Sequence, residues 1–216
     1  ILFDQRGAGR SLPPGDISAN TPEHLLADME QIRAELGVDK WVLFGGGWGS
    51  TLSLLYAEAF PENVLSLILR GIFLARQKDI DWIYHEGTNR FCPDHWQDFV
   101  APLAASDHDQ VCDAFQALML ADNELARMSA AKAWSIWEAQ CATLHPNQRL
   151  IKHYSNPHRS MARCNIGSYY YSNGCFLEEN QILRDAAKLK DVPGIIIHGR
   201  FDLLCPFENA HLLHQA

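Results

Sequence analysis

A cluster of glycines at residues 45–49 (GGGWG) is the feature that most constrains how this chain folds. It lies between a short apolar run, residues 41–44, and a helix-like segment, residues 51–60, which Pro61 ends. A second apolar run follows at residues 64–69. Strand, tight turn, helix and strand in this order form a unit whose two strands must be parallel. Parallel strands are usually covered by helices on both faces, so the sequence predicts an α/β fold.

The rest of the chain predicts a helical insertion into that sheet. Helix-forming segments rich in Ala, Trp and His dominate from about residue 75 to 188, and residues 191–199 (DVPGIIIHG) predict another buried strand. We therefore expect residues 1–74 to form the first part of a sheet domain, 75–188 a helical cap, and 189–216 the second part of the sheet domain. Caps of this kind usually cover an active site.

Local signals also set the ends of individual elements. Residues 1–3 resemble the end of a strand, stopped by a glycine-rich turn. Thr21 can cap the helix that follows, Pro22 suits its first turn, and Glu23 favours its positive end. Apolar residues at helical spacing continue until Gly37.

Composition excludes several functional classes. The 216 residues are 47% apolar and 20% charged, with a formal net charge of −8, so no basic surplus exists to neutralise nucleic-acid phosphates. No apolar run reaches the 18 or so residues of a membrane span. Six cysteines lack CxxC spacing, which argues against zinc and a disulfide framework. We expect free thiols in a reducing, cytoplasmic location.

The glycine cluster has the context of a nucleophile elbow, which reads G-x-S-x-G between a strand and a helix. The central residue is Gly47, and the backbone N–H of Trp48 lies where it can help to stabilise an oxyanion. A phosphate-binding glycine turn is the alternative, but neither of its usual spacings is present. Asp202 follows the predicted strand that ends at His198, where the carboxylate of a catalytic triad belongs.

Together with other segments, these motifs resemble the proline iminopeptidases, the prolyl aminopeptidase branch of the α/β-hydrolases. The matching segments are residues 4–11 (DQRGAGRS), 45–52 (GGGWGSTL, against GGSWGSTL in the family), 69–73 (LRGIF), 130–138 (AAKAWSIWE) and 198–206 (HGRFDLLCP). Their order and spacing agree over nearly the whole chain. The resemblance implies an α/β-hydrolase fold with a mostly parallel sheet and a helical cap.

The resemblance also implies catalytic roles. Gly47 stands where the family has its nucleophilic serine, Asp202 matches the triad aspartate, and the Trp48 N–H belongs to the oxyanion hole. Family members release N-terminal proline from peptides through an acyl-enzyme, and they need no cofactor. Peptides that begin with proline are therefore the expected partners, and no nucleic acid or membrane is expected.

Substrate-binding roles come from the same resemblance. Glu138 matches a cap glutamate that binds the free N-terminal imino group, and a carboxylate in a dry pocket is suited to that role. Trp134 and Trp137 share its predicted helix face, with Trp134 expected in the core and Trp137 against the substrate. Phe73 and Tyr171 match aromatic residues that pack on the proline ring.

Departures from the family pattern predict an inactive chain. Gly47 offers no nucleophile. A second cap glutamate is missing, since one alignment places Gly167 at its position and another places Asn165 there. The family's first oxyanion loop would precede Ile1 and its catalytic histidine would follow Ala216, so we expect the chain to be truncated at both ends.

Two other functions remain open from sequence. The first is another capped α/β-hydrolase that acts on esters, amides or epoxides. The second is a non-catalytic binding protein on the hydrolase fold, with Gly47 as its native residue. None of the ten histidines is a convincing catalytic base, including His198, His211 and His214.

Overall fold

The computed structural model describes all residues from 1 to 216. Ten α-helices and three β-strands make up its regular structure. In chain order they are α1 (Pro22–Glu35), β1 (Trp41–Gly47), α2 (Trp48–Ala59), β2 (Val64–Ile72), α3 (Gln77–Tyr84), α4 (Pro93–Val100), α5 (Val111–Leu120), α6 (Glu124–Cys141), α7 (Gln148–Tyr154), α8 (Pro157–Ser172), α9 (Gln181–Asp185), β3 (Gly194–Ile197) and α10 (Phe207–Gln215).

The three strands form one parallel sheet in the order β1-β2-β3. Leu43 of β1 pairs with Leu67 of β2, and Leu69 of β2 pairs with Ile196 of β3. Because parallel neighbours require crossover connections, the helical segments between the strands follow directly from this topology. The parallel sheet predicted from the glycine cluster and its flanking apolar runs is confirmed.

Two predictions about strands are wrong. Residues 1–3 form no strand, since they pair with no other strand, and Ile1 and Leu2 are exposed. The strand predicted as buried, β3, exposes Ile195 and Ile197, by 61% and 56%. It has only β2 as a neighbour and lies at an edge of the sheet, so an apolar sequence alone does not bury it.

The chain divides into two compact units, which we call the sheet unit (residues 21–79 and 176–216) and the helical unit (residues 1–20 and 80–175). These ranges differ from the predicted ones, because the first 20 residues pack with α8 of the helical unit. The Asn165 amide donates to the Gly15 carbonyl (2.8 Å), and the Tyr170 hydroxyl donates to Asn20 (3.1 Å). Such long-range bonds leave no local signal. The assignment of a hydrolase core and a cap stays a prediction.

Helix α2 is the central element of the sheet unit. Residues from Ser50 to Glu58 are all buried, as expected for a helix that packs on β1 and β2 and is covered by α1. The predicted cap of α1 is wrong in detail. Thr21 occupies the N-cap position but makes no side-chain cap bond, because its hydroxyl instead pairs with His24 Nδ1 (2.7 Å).

The helical unit is organised around aromatic side chains. Phe99 of α4 stacks on Phe115 of α5 (centroids 4.8 Å apart) and on Trp137 of α6 (5.3 Å). Trp134 meets Phe115 edge-on at 5.2 Å. Such pairs add roughly 0.5–1.5 kcal/mol each beyond the area they bury. No strand interrupts residues 73–193, and no helix of the chain has both the length and the apolar character needed to cross a membrane.

A polar network fastens α1 to the rest of the sheet unit. Glu30 of α1 forms a two-pronged ion pair with Arg33 (2.9 Å for each bond) and accepts hydrogen bonds from Tyr56 and Asn63. The Arg33 guanidinium beside it lowers the pKa of Glu30 to about 2, with Tyr56 and Asn63 assisting against the effect of burial. The fully buried Tyr56 hydroxyl thus depends on this carboxylate.

We expect Glu30→Gln to lower the free energy of unfolding at pH 7 by about 1–2 kcal/mol, since it weakens hydrogen bonds to a charged acceptor. A carboxyl group whose folded pKa is depressed stabilises the fold above its unfolded pKa. This contribution therefore disappears as the pH falls from about 4.5 towards about 2. Urea denaturation at pH 7 and pH 2.5 measures both values. Glu35→Gln, at an exposed site on the same helix, is the control and should change neither. An equal loss at both pH values would contradict the charge-based account.

Candidate functional site

The glycine cluster forms a sharp turn from strand to helix. Strand β1 ends at Gly47 and α2 begins at the next residue, Trp48, with no loop between them. Gly47 has φ +56° and ψ −124°, a conformation that side chains rarely adopt. A Cβ built on Gly47 would meet no atom within 4 Å. A side chain at this position would therefore project into open space, as the nucleophile of an elbow does.

Gly45, in contrast, is required by packing. A Cβ on Gly45 would lie 2.0 Å from the carbonyl oxygen of Gly49, so β1 and the first turn of α2 pass each other at backbone contact. The same carbonyl accepts a hydrogen bond from Ser53 (2.7 Å). The cluster thus combines a packing glycine at Gly45 with a sterically open position at Gly47.

Hydrogen bonds tie the first turn of α2 to the chain after β2. Ser50 donates to the Gly47 carbonyl (2.7 Å) and accepts from the Phe73 N–H (3.3 Å), and Thr51 donates to the Phe73 carbonyl (2.6 Å). Ser50 and Thr51 are both fully buried, so neither hydroxyl is accessible to a substrate. The Trp48 N–H belongs to the positive end of α2, where developing negative charge is stabilised.

Asp202 lies close to the strand-to-helix turn at Gly47. Its Oδ1 accepts hydrogen bonds from the backbone N–H groups of Leu204 (3.0 Å) and Cys205 (2.9 Å), which fix the carboxylate. A Cβ on Gly71 would lie 3.5 Å from Asp202 Oδ2 and 3.9 Å from Gly47 N. The second carboxylate oxygen and the elbow backbone therefore flank the same point at the carboxyl end of β2.

His198 is buried and joins two segments of the sheet unit. Its Nδ1 accepts a hydrogen bond from the Ile72 N–H (3.0 Å), so the proton resides on Nε2, which donates to the Cys205 carbonyl (2.7 Å). The ring is 1% exposed and its Nε2 lies 4.0 Å from Asp202 Oδ2. Both ring nitrogens are thus engaged in bridging β2 to the loop that carries Asp202.

In the helical unit, three donors hold Glu138 of α6. Oε1 accepts from the Tyr84 hydroxyl (2.8 Å) and the Trp134 indole N–H (2.9 Å), and Oε2 pairs with Arg163 (2.8 Å). The Glu138 side chain is 15% exposed. Burial, reinforced by the negative charge of Glu138, raises the pKa of Tyr84 well above its usual value, so Tyr84 stays a donor.

The predicted aromatic residues are distributed differently from expectation. Tyr171 lies beside the Glu138 cluster, with its ring 5.0 Å from that of Tyr84 and 6.1 Å from that of Trp134. Trp137 is 1% exposed, and its N–H donates to the Ile83 carbonyl (3.2 Å), which places the ring in the aromatic core. Trp134, predicted as core, is buried as well, but its N–H is the one that reaches the carboxylate.

Phe73 and the position of the second glutamate complete the set of predicted residues. The Phe73 side chain is 3% exposed in the sheet unit. At the second glutamate position, a Cβ on Gly167 would contact Trp134 at 3.3 Å, and the Asn165 amide binds Gly15. Neither residue brings a carboxylate to Glu138.

Sequence reasoning missed Tyr84 and Arg163 as partners of Glu138. Their separations from it along the chain, 54 and 25 residues, exceed any helical spacing, so only an alignment of homologues could have exposed the pairing. No group of three or more His, Cys, Asp or Glu side chains is arranged to hold a metal ion.

Comparison with known proteins agrees with this geometry. Residues 1–209 match the family described as alpha/beta hydrolase fold. A proline iminopeptidase of Xylella fastidiosa (strain Temecula1 / ATCC 700964) is 44% identical over 217 aligned positions, which cover 100% of this chain and 69% of the relative. A proline iminopeptidase of Xanthomonas citri is 43% identical, with the same coverage. The chain thus spans about two thirds of the length of these relatives.

Among solved structures, an alpha/beta fold family hydrolase from Bacillus anthracis str. Sterne superposes with a TM-score of 0.61. The match covers 98% of this chain and 68% of that one at 18% identity, so it bears on the fold alone. The predicted class, an α/β-hydrolase fold with a parallel sheet and helices on both sides, is confirmed. Identity of this extent along the entire chain shows that the protein belongs to the proline iminopeptidase family of α/β-hydrolases.

Proposed function

We propose that this chain carries the scaffold of a serine peptidase that releases N-terminal proline from peptides, and that Gly47 makes it inactive as it stands. The observation that carries the proposal is the proximity of Asp202 Oδ2 and Gly47 N, which both lie within 4 Å of a Cβ built on Gly71. A triad acid and an elbow nucleophile need this proximity, because one imidazole must bridge them. A serine at position 47 would have the open space that a nucleophile requires.

The chemistry would follow the acyl-enzyme route. A serine hydroxyl at position 47 attacks the carbonyl carbon of the N-terminal proline, and a histidine takes its proton. The Trp48 N–H donates to the oxyanion of the tetrahedral intermediate, and Asp202 holds the histidine in the correct tautomer. The leaving amine takes the proton from the imidazolium, and water then releases proline from the serine. His198 is not this base, since both its nitrogens are engaged.

Glu138 is the proposed receptor for the substrate's N-terminal ammonium, and Tyr171 is the proposed contact for its proline ring. The low exposure of Glu138 supports the role, because a poorly solvated carboxylate attracts a cation strongly. Its pairing with Arg163 works against the role, since the substrate must then compete with a resident guanidinium. Phe73 is also a proposed ring contact, whereas the core position of Trp137 makes that residue a support for α6.

A non-catalytic binding protein is the second candidate function. Gly47 favours it, because the elbow retains its packing and its open space while the reactive group is absent. The ion pair between Glu138 and Arg163 favours it too, since it partly neutralises the carboxylate. The free state of all six cysteines supports a reducing, cytoplasmic location for either candidate.

Restoring the nucleophile tests the first candidate. In the full-length protein, we expect Gly47→Ser to raise the rate of proline arylamide hydrolysis by on the order of 10⁶-fold over the unsubstituted protein. This is the factor by which loss of the triad serine lowers kcat in other serine peptidases. The serine should also react with a fluorophosphonate, detected by mass spectrometry.

Gly47→Ala is the matched control for that experiment. It introduces the same Cβ and the same backbone strain at φ +56° but no hydroxyl, so it should remain at background in both assays. A folded serine variant that neither hydrolyses nor labels would favour the binding protein.

The role of Glu138 is tested in the same restored background. Removing one partner of a desolvated charge pair costs about 2–5 kcal/mol, so Glu138→Gln should lower kcat/KM for free prolyl substrates by tens-fold to thousands-fold. N-acylated prolyl substrates carry no ammonium and should lose little. Glu124→Gln, at an exposed site on the same helix, should leave both rates unchanged. Equal losses on both substrate types would mean that Glu138 supports the helical unit instead of binding the amine.

A further inference from the structure

A cavity of about 440 Å³ lies in the sheet unit. Neither residues 45–49 nor Asp202 line it. Helices α1, α2 and α9 contribute to its wall, together with the residues next to α9. Six apolar residues line it: Pro22, Leu26, Leu55, Ala59, Phe176 and Leu177. Three acidic side chains line it as well, Glu23, Glu58 and Asp185, together with one basic side chain, Lys188.

Glu58, on the last turns of α2, is the unusual member of this wall. It is 8% exposed, and its Oε1 is buried without any hydrogen-bond partner. Buried polar oxygens are nearly always paired, because an unpaired one forfeits the hydrogen bonds that water would supply. An unsatisfied carboxyl oxygen on a cavity wall therefore indicates a partner that the chain itself does not provide.

The cations nearby are already engaged. Asp185 of α9 binds Lys188 (3.0 Å) and Arg184 (3.1 Å), and Arg184 also pairs with Glu178. Neither cation makes an ion pair with Glu58. Burial, with the negative charge of Asp185, raises the pKa of Glu58 to about 8, and Lys188 and Arg184 offset only part of this effect. Near neutral pH the carboxyl group of Glu58 in the cavity wall is thus protonated.

We propose that this cavity binds a small organic cation, a primary alkylammonium, with its head group on Glu58 and its alkyl chain against Leu26, Leu55 and Phe176. An ammonium has three donors and matches an unpaired carboxyl oxygen beside further acidic groups. The apolar residues of the wall suit an alkyl chain, and its three carboxyl groups are not arranged to hold a metal ion. The inference is independent of the proposed peptidase chemistry, which uses none of these residues.

Binding would be coupled to one proton. The acid form of Glu58 gives its proton to solvent, and the resulting carboxylate pairs with the ammonium, so charge balances. Affinity should therefore rise about tenfold per pH unit below about pH 8 and level off above it.

Calorimetric titration of the chain with n-butylammonium chloride tests the proposal. At pH 7, titrations in two buffers of different ionisation enthalpy should report release of close to one proton per ligand bound. Butan-1-ol, which has the alkyl chain but no charge, should release none. Failure to bind n-butylammonium at 50 mM, or binding without proton release in the unsubstituted protein, would overturn the proposal.

Substitutions then locate the group that releases the proton. Glu58→Gln keeps the shape of the side chain and should abolish proton release while weakening n-butylammonium binding at pH 8 at least tenfold. Glu62→Gln, at an exposed site nearby, should behave as the unsubstituted protein. Glu58 ionises from about pH 4.5 in the unfolded chain but only near pH 8 in the folded one, so it destabilises the fold increasingly across this range. Glu58→Gln should therefore also raise the melting temperature more at pH 9 than at pH 5. Unchanged proton release in folded Glu58→Gln would refute the assignment. If Glu58→Gln does not fold, the two-buffer titration of the unsubstituted protein is the deciding measurement.

Discussion

Backbone contact between β1 and the first turn of α2 is the constraint on which the sheet unit depends. No side chain fits at Gly45, because its Cβ would overlap the carbonyl group of Gly49. This contact lets the chain pass from strand to helix without a loop, and it brings Ser50 and Thr51 to the segment after β2. The position of Gly47 relative to Asp202 follows from it. A larger residue at Gly45 would therefore displace α2 and change the position of Gly47 relative to Asp202.

Electrostatic balance plays the corresponding part in the helical unit. Glu138 is held by a phenol, an indole and a guanidinium that reach it from α3, α6 and α8. A carboxylate with so little exposure is tolerated because these donors replace the lost water. The same donors order the aromatic side chains around it, since Tyr84 stacks on Trp134 at 4.5 Å. The charge and the aromatic packing are therefore interdependent, because Tyr84 and Trp134 take part in both.

The elements that could be predicted are those with local signals. The strand, glycine turn and helix at residues 41–60 were found because spacing and composition change within a few residues, and the resemblance supplied Asp202 and Glu138. The misassignments involve partners distant in sequence. The burial of β3 depends on how many strands flank it, and the grouping of residues 1–20 depends on bonds to α8. The partners of Glu138 were missed for the same reason.

Backbone strain gives Gly47 a further consequence. A residue with a side chain at φ +56° and ψ −124° is held in a sparsely populated conformation, at a cost on the order of 1–3 kcal/mol. Glycine relieves much of that strain, so Gly47 stabilises the fold. Under the proposed role of position 47, selection for a catalytic serine acts against conformational stability at this one position. Where that selection is relaxed, glycine is the replacement that folding itself favours.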